Sequence, residues 1–538
     1  MWTPPAGDGP DGRRLALVIA LVLFVLGAWP LLLVDLPPFQ DLPNHLAVAH
    51  IAAHPDLYPQ YVFNGFFKSN ALLTLWLATV GSHGLLGAAR IFTAIVIALS
   101  ALALPFFTLH FVGRARMLVA MLFLWPLVHG FFLSMGMLNF AFAFPLSLLL
   151  LVVVDRQRQH ATFARGLGIA LLSGVLWYAH PFPLVVVGGV IALDVVLRAT
   201  WRERGAAALG LVLPLAPVGF LVVVTAFHHL FKAEGAPTSA TSAYVFLSPW
   251  ELLSHWWLDV SGALTRWGSM TVVPAILLPY FAWKRRRDAC PLFSKPALAL
   301  LAAAYVGLPL MLSNWWYLDC RLVPFLWVGL ALRLPVSLPK PVAALLVICA
   351  LSFSAVLGVD YVRLDRDRAA FTAGMSAVPR RATLLPLLFK HRKTSDFTAS
   401  LTHAWAYYVL EKDTSAPLVF AVERSYPITY RDFPPAALIP PALDRFAEKR
   451  GTPVEVCKTY LGADRRDSAD CTAEWRRQWA AFWRKAEPNF SYLLTWAMPP
   501  AAREFVPPSY RRTFAAGDLE IYARAPAAEA KGAGTSPP

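Results

Sequence analysis

Up to about Asp360 the chain is a succession of long apolar runs, and beyond it charged residues recur every few positions. A helix of roughly 20 apolar residues is what a bilayer crossing needs. A chain built largely from such runs cannot form an ordinary soluble core. Composition says the same: 57% of the 538 residues are apolar and 15% are charged, against about 25% charged in a typical soluble domain. The expected class is a polytopic α-helical membrane protein (residues 13–359) followed by a water-soluble domain (360–524), with disordered ends at 1–12 and 525–538.

Charge placement orients the runs. Eleven apolar stretches are expected as spans: 15–34, 88–112, 117–134, 136–154, 164–180, 182–197, 206–231, 266–283, 296–312, 322–334 and 341–359. The Arg-rich turns between them, such as Arg114–Arg116, Asp155–Arg158, Arg198–Arg204 and Lys284–Arg287, then fall on one side, as the cytoplasmic excess of Lys and Arg requires. The N-terminus is expected inside a bacterial inner (plasma) membrane and the C-terminal domain outside. The two long outer loops are 35–70 and 232–263. Ala71–Gly81 is apolar, but counting it as a span would reverse every later loop. It reads as a membrane-surface or re-entrant helix. The net charge of +15 divides between the two parts, with no basic stripe carrying interleaved aromatics, so no nucleic-acid partner is expected.

The first outer loop carries the most chemistry. Asp35 and Asp41 stand at or just past the end of the first span. Acidic groups at a membrane edge are costly unless solvated or partnered, so they often mark function. The plainer reading has Asp35 ending the span and Asp41 capping the helix that follows. Gln40-Asp41-Leu42-Pro43-Asn44-His45, with Ala47–Ile51 behind it, resembles the acidic motif and short helix of the GT-C superfamily. Its members include protein O-mannosyltransferases and the lipid A aminoarabinose transferase, which take sugars from polyprenyl phosphates. Lys68-Ser69-Asn70-Ala71-Leu72, Gly84 and Ala88-Ala89-Arg90-Ile91 resemble the stretch that follows in that family. The likeness is good over roughly 15–112 and only architectural over 113–359. It departs at Ser69-Asn70, where the family has two prolines, and at Leu42, where some members have a second acid.

The resemblance implies a GT-C-like fold and a membrane glycosyltransferase. It would move a sugar from a polyprenyl-phosphate donor to a lipid, glycan or protein acceptor on the outer face. Such transfer needs a carboxylate to take the proton of the attacking hydroxyl, and cations or a divalent metal to stabilise the departing phosphate. Asp41 is the candidate catalytic base. Asp35 and His45 are candidates for substrate binding, and Lys68 and Arg90 for phosphate, with headgroup snorkelling the alternative for both basic residues. His180, at the end of Trp177-Tyr178-Ala179-His180-Pro181, is a further binding candidate or an interfacial histidine. Arg321, in an Arg-x-x-Pro sequence, either binds substrate or bridges Asp319. Glu251, His255, Trp256, Trp257 and Asp259 fit an amphipathic surface helix, and Asp194 and His129 fit helix-to-helix bonds. No Cys or His spacing resembles a zinc site.

The tail reads as a small α/β domain: a helix over Thr398–Leu410, a strand over Leu418–Val422, a helix over Thr472–Lys485 with Trp475, Trp479 and Trp483 on one face, and strands over Phe490–Trp496 and Leu519–Arg524. Cys457 and Cys471 are equally readable as a disulfide or as free thiols. The alternatives to an enzyme are a non-catalytic component of polysaccharide assembly or export, and a transporter. The latter would show internal repeats and intramembrane charge pairs.

Overall fold

A computed structural model describes residues 9–198, 200–231, 246–259, 265–283, 290, 292–312, 315–390, 399–421, 426–431, 438, 443, 446–458 and 469–525. The expected disordered ends lie mostly outside these residues, as do 232–245 and 260–263 of the expected second long loop. The chain divides into two compact units. The first comprises 1–37, 67–76 and 83–362, and the second 38–66, 77–82 and 363–538.

The first unit is helical. Five of the described helical stretches are long and apolar enough to cross a membrane: Pro10–Leu32, Leu85–Met135, Leu138–Gln159, Trp201–Val224 and Lys340–Ala377. The architecture is therefore that expected of a helical membrane protein. Leu85–Met135 is interrupted at Gly113, whose φ of 76° and ψ of 174° suit a residue without a side chain. That break falls at the Gly113–Arg116 turn read from the charges. Phe163–Ala179, Pro181–Val196, Lys295–Gly307 and Cys320–Ala331 are apolar but shorter. Leu72–Val80 is a helix of nine residues, about 14 Å long at 1.5 Å per residue, too short to span.

Polar side chains inside this unit are bonded to neighbouring helices. His129 Nδ1 lies 2.7 Å from the Gly27 carbonyl, and the Tyr361 hydroxyl lies 3.2 Å from its Nε2. Asp155 is fully buried, receives His110 at 2.9 Å, and is also bonded by Gln159. Arg158 reaches Asp194 at 3.2 Å, where Arg198 joins it at 2.9 Å. These ion pairs are the compensation that buried carboxylates require.

The second unit is built on a mixed sheet ordered Leu384–Leu388, Tyr492–Trp496, Leu519–Arg524, Tyr510–Ala516. Its first pair is parallel and the other two are antiparallel. The Ala469–Ala486 helix buries Trp475, Trp479, Phe482 and Trp483, so the tryptophan stripe is core: Trp479 stacks on Phe389 and Phe505. Cys457 and Cys471 are joined in a disulfide. A loop of this length constrains the unfolded chain by about 3 kcal/mol. Replacing both cysteines by serine is expected to lower stability by that amount, read as a fall of several degrees in the thermal midpoint. An unchanged midpoint would count against the bond.

Three expectations change here. The helix starting at Lys340 runs to Thr372 rather than stopping near Asp360. Past that point Leu364 and Phe371 remain buried, and Asp365 and Arg368 pair three residues apart, so helical spacing persists after the apolar run ends. The helix expected over Thr398–Leu410 is a series of turns to Trp405 and then a helix at Ala406–Lys412. Val422 lies outside the described residues; Leu418, Val419 and Ala421 are buried, but residues 418–421 form no strand. The reason is Asn44, itself fully buried, whose amide donates to the Leu418 carbonyl at 3.0 Å and accepts from Phe420 N–H at 3.0 Å. A side chain thus supplies the partners that a neighbouring strand would have supplied.

Residues 38–66 therefore belong to the same compact unit as the tail. Tyr61–Phe63 pairs antiparallel with Ile428–Tyr430. The Leu42–Ala53 helix is nearly all buried along one side, and Tyr58 and Tyr61 donate to the carbonyls of Val409 and Ala416.

Candidate functional site

The expected site residues divide between the two units. Asp41 and His45 lie in the second, and Asp35, Lys68, Arg90, His180 and Arg321 in the first.

In the second unit, Asp41 occupies the N-cap position of Leu42–Ala53, and Pro43 sits within the first turn as its fixed φ allows. The carboxylate makes no capping hydrogen bond. Its Oδ1 instead lies 3.5 Å from His403 Nε2, with the two side chains 16% and 12% exposed. Asn44 decides the state of that histidine. Its Nδ2 lies 3.3 Å from His403 Nδ1, and an amide N–H can only donate, so Nδ1 accepts. The proton of the neutral imidazole is then on Nε2, the nitrogen facing Asp41. Gln40 secures the adjoining segment by accepting from Ala399 N–H at 2.9 Å.

The result is an Asp–His pair whose histidine is held on its far side by an asparagine. It has two parts of a proton-accepting site: a carboxylate and a ring N–H facing it. His50, two turns further along the same helix, is bonded to Asp413 at 3.1 Å, which also takes Arg380 at 3.0 Å, and it reads as an anchor.

His45 packs edge-on against Phe420, ring centroids 5.4 Å apart. Burial lowers its pKa from 6.5 to about 4, the Asp41 charge opposing and the His403 ring reinforcing that shift. The fold thus favours the neutral ring. Between pH 6.5 and 4 the unfolded chain binds a proton that the folded chain refuses, so stability falls as pH drops through that window. The wild type is expected to lose more thermal stability than His45→Gln between pH 7 and 4.5; parallel losses would refute the assignment.

In the first unit, Arg321 is 93% removed from solvent, at 7% exposure, and its Nη1 lies 2.8 Å from His180 Nε2. The guanidinium sits over the Phe140 ring at 5.5 Å and the Phe182 ring at 5.8 Å, a favourable position for a cation. His180 ends the Phe163–Ala179 helix and begins the Pro181–Val196 helix, which sets it rigidly. Phe140 and the neighbouring Pro324 also line a small apolar cavity of about 40 Å³, with Val96, Phe131, Phe144 and Leu258. A cation beside an apolar hollow is thereby built from residues far apart in the chain. Arg90 donates through Nη2 to the Leu31 carbonyl at 3.0 Å, which ties one arm of its guanidinium to the end of the first helix. Asp35 is exposed just beyond that helix, and Lys68 is half-buried.

Asp319 faces His255, at 2.7 Å, rather than forming the bridge to Arg321 considered from the sequence. His255 and Asp259 are buried, at 3% and 0% exposure, so Pro249–Trp256 is not simply a surface helix. His403, more than 350 positions from Asp41, carries no signal in the sequence, and His255, read there only as part of a surface helix, meets Asp319 64 positions away. Histidine content alone marks neither, since only the folded chain brings them to their carboxylates. No protein-family model matches the chain, and no curated protein matches it.

Proposed function

We propose that this chain is a membrane glycosyltransferase of the GT-C type, transferring a sugar from a polyprenyl-phosphate donor to a lipid, glycan or protein acceptor on the outer face of a bacterial inner membrane. The reading includes the eleven-span topology with a cytoplasmic N-terminus and an extracytoplasmic C-terminal domain. The observation that carries it is Asp41, whose carboxylate, at the head of a largely buried helix, faces His403.

In this reading the acceptor hydroxyl gives its proton to Asp41 as its oxygen bonds to the anomeric carbon. The bond from that carbon to the phosphate oxygen breaks, and its electron pair leaves with the polyprenyl phosphate. His403 Nε2–H steadies the ionised Asp41 and keeps its free lone pairs directed at the ligand. Within the first unit, Arg321 is the proposed phosphate contact, since Arg suits a two-pronged interaction. Arg90, Lys68 and Asp35 in the first unit and His45 in the second are the remaining proposed substrate-binding residues.

The test is direct. Purified protein in liposomes, given a panel of labelled polyprenyl-phosphate sugars and membrane acceptors, is expected to release polyprenyl phosphate and label an acceptor. A chain that neither binds nor turns over any of them is not this enzyme, and the assembly-component reading would replace it.

A further inference from the structure

We infer that His255, Asp319 and Cys320 form a binding site for a soft divalent cation of the zinc class. All three are buried, at 3%, 0% and 3% exposure, and one donor atom from each lies within 4.8 Å of the others. Two of the contacts converge on one atom: His255 Nδ1 is 2.7 Å from Asp319 Oδ2 and 2.9 Å from Cys320 Sγ. The third side, from Cys320 Sγ to the Asp319 oxygens, is 3.6 Å.

An imidazole nitrogen either carries a hydrogen and donates, or lacks one and accepts. Nδ1–H and the Cys320 thiol can both donate to Asp319, at 2.7 and 3.6 Å, which leaves Nδ1 and Sγ 2.9 Å apart with no further proton to share. One cation at the centre of the triangle satisfies all three groups together. With metal–ligand bonds of about 2.0–2.3 Å, the edges of a tetrahedral site are about 3.3–3.6 Å. The Asp–Cys side already has that length, and the other two need to open by about 0.6 Å.

The elements are placed to hold such a site. Asp319 and Cys320 are adjacent at the start of the Cys320–Leu322 turn. His255 comes from Pro249–Trp256, a helix whose start is secured by a Ser248–Glu251 capping box. The Trp327 indole donates to the Trp256 carbonyl at 3.1 Å and holds that helix against the one that follows the turn. Nitrogen, oxygen and sulfur donors in one set select zinc-class ions over magnesium or calcium, which favour oxygen alone. Three protein ligands leave a fourth position open. Binding displaces the thiol hydrogen of Cys320 as a proton, giving a thiolate–metal bond.

The inference is independent of sugar transfer, because its readouts are metal content and a spectrum. Purified full-length protein, loaded with Zn²⁺ and passed through a desalting column, is expected to keep near one zinc per chain. Loaded with Co²⁺ instead, it is expected to show a thiolate-to-cobalt charge-transfer band. Cys320→Ser should abolish the band, whereas Cys290→Ser and Cys349→Ser should keep it. Asp319→Asn should weaken zinc binding by more than the ~10-fold that altering a ligand's own hydrogen-bond partner costs. If Cys320→Ser fails to fold, the wild-type band and the Asp319→Asn titration decide the matter. A wild type that keeps no zinc and gives no band, or a band that survives in folded Cys320→Ser, overturns the site.

Discussion

Asp41→Asn is expected to reduce sugar transfer by ~10²–10⁴-fold, the usual worth of a positioned general base, with little change in thermal stability. The substitution separates the two readings of this residue. Asparagine has almost the same shape and is a good N-cap. Its amide oxygen can still face His403 Nε2 across the same 3.5 Å. What it cannot do is take a proton. A structural aspartate would therefore tolerate the change, and a catalytic one would not. The measurement is initial transfer rate in liposomes at saturating donor, beside the thermal midpoint of the same preparation. A rate within about twofold of wild type would remove Asp41 from the chemistry.

Arg321 should show the second-largest effect. Arg321→Met is expected to lower kcat/KM by ~10²–10³-fold, as when one group that stabilises developing negative charge is removed. Methionine keeps much of the packing against Phe140 and Phe182, at 5.5 and 5.8 Å from the guanidinium, while losing the charge. Arg321→Lys should recover only part of the activity, because an ammonium cannot make the two-pronged contact. A donor KM and kcat unchanged in Arg321→Met would leave the residue with a packing role only. A loss of thermal stability equal in Met and Lys variants, with turnover per folded molecule preserved, would say the same.

Much of the architecture was legible because the information is local. The length of the apolar runs announced helices able to cross a bilayer, and Gly113 marked the break inside the longest of them. Three tryptophans at four-residue spacing announced a buried helix face, and Trp475, Trp479 and Trp483 are buried. Alternation and branched residues announced the strands at Tyr492–Trp496 and Leu519–Arg524. Where the reading went astray, a distant group had intervened. Leu418–Phe420 has strand composition, but the Asn44 amide took the backbone bonds that pairing would have used.

By itself, then, the order of residues determined the helical, membrane-compatible character of the first 360 positions, the mixed domain after them, and the prominence of Asp41. These follow from hydropathy, spacing and charge over windows of a few turns. Only the tertiary structure decided which partner each polar group would have: His403 for Asp41, His180 for Arg321, and His255 for Asp319 and Cys320. Such pairings depend on burial, where a polar group must find a partner or lose several kcal/mol. Which partner comes within reach is settled by how distant segments pack, and no short window of sequence contains that.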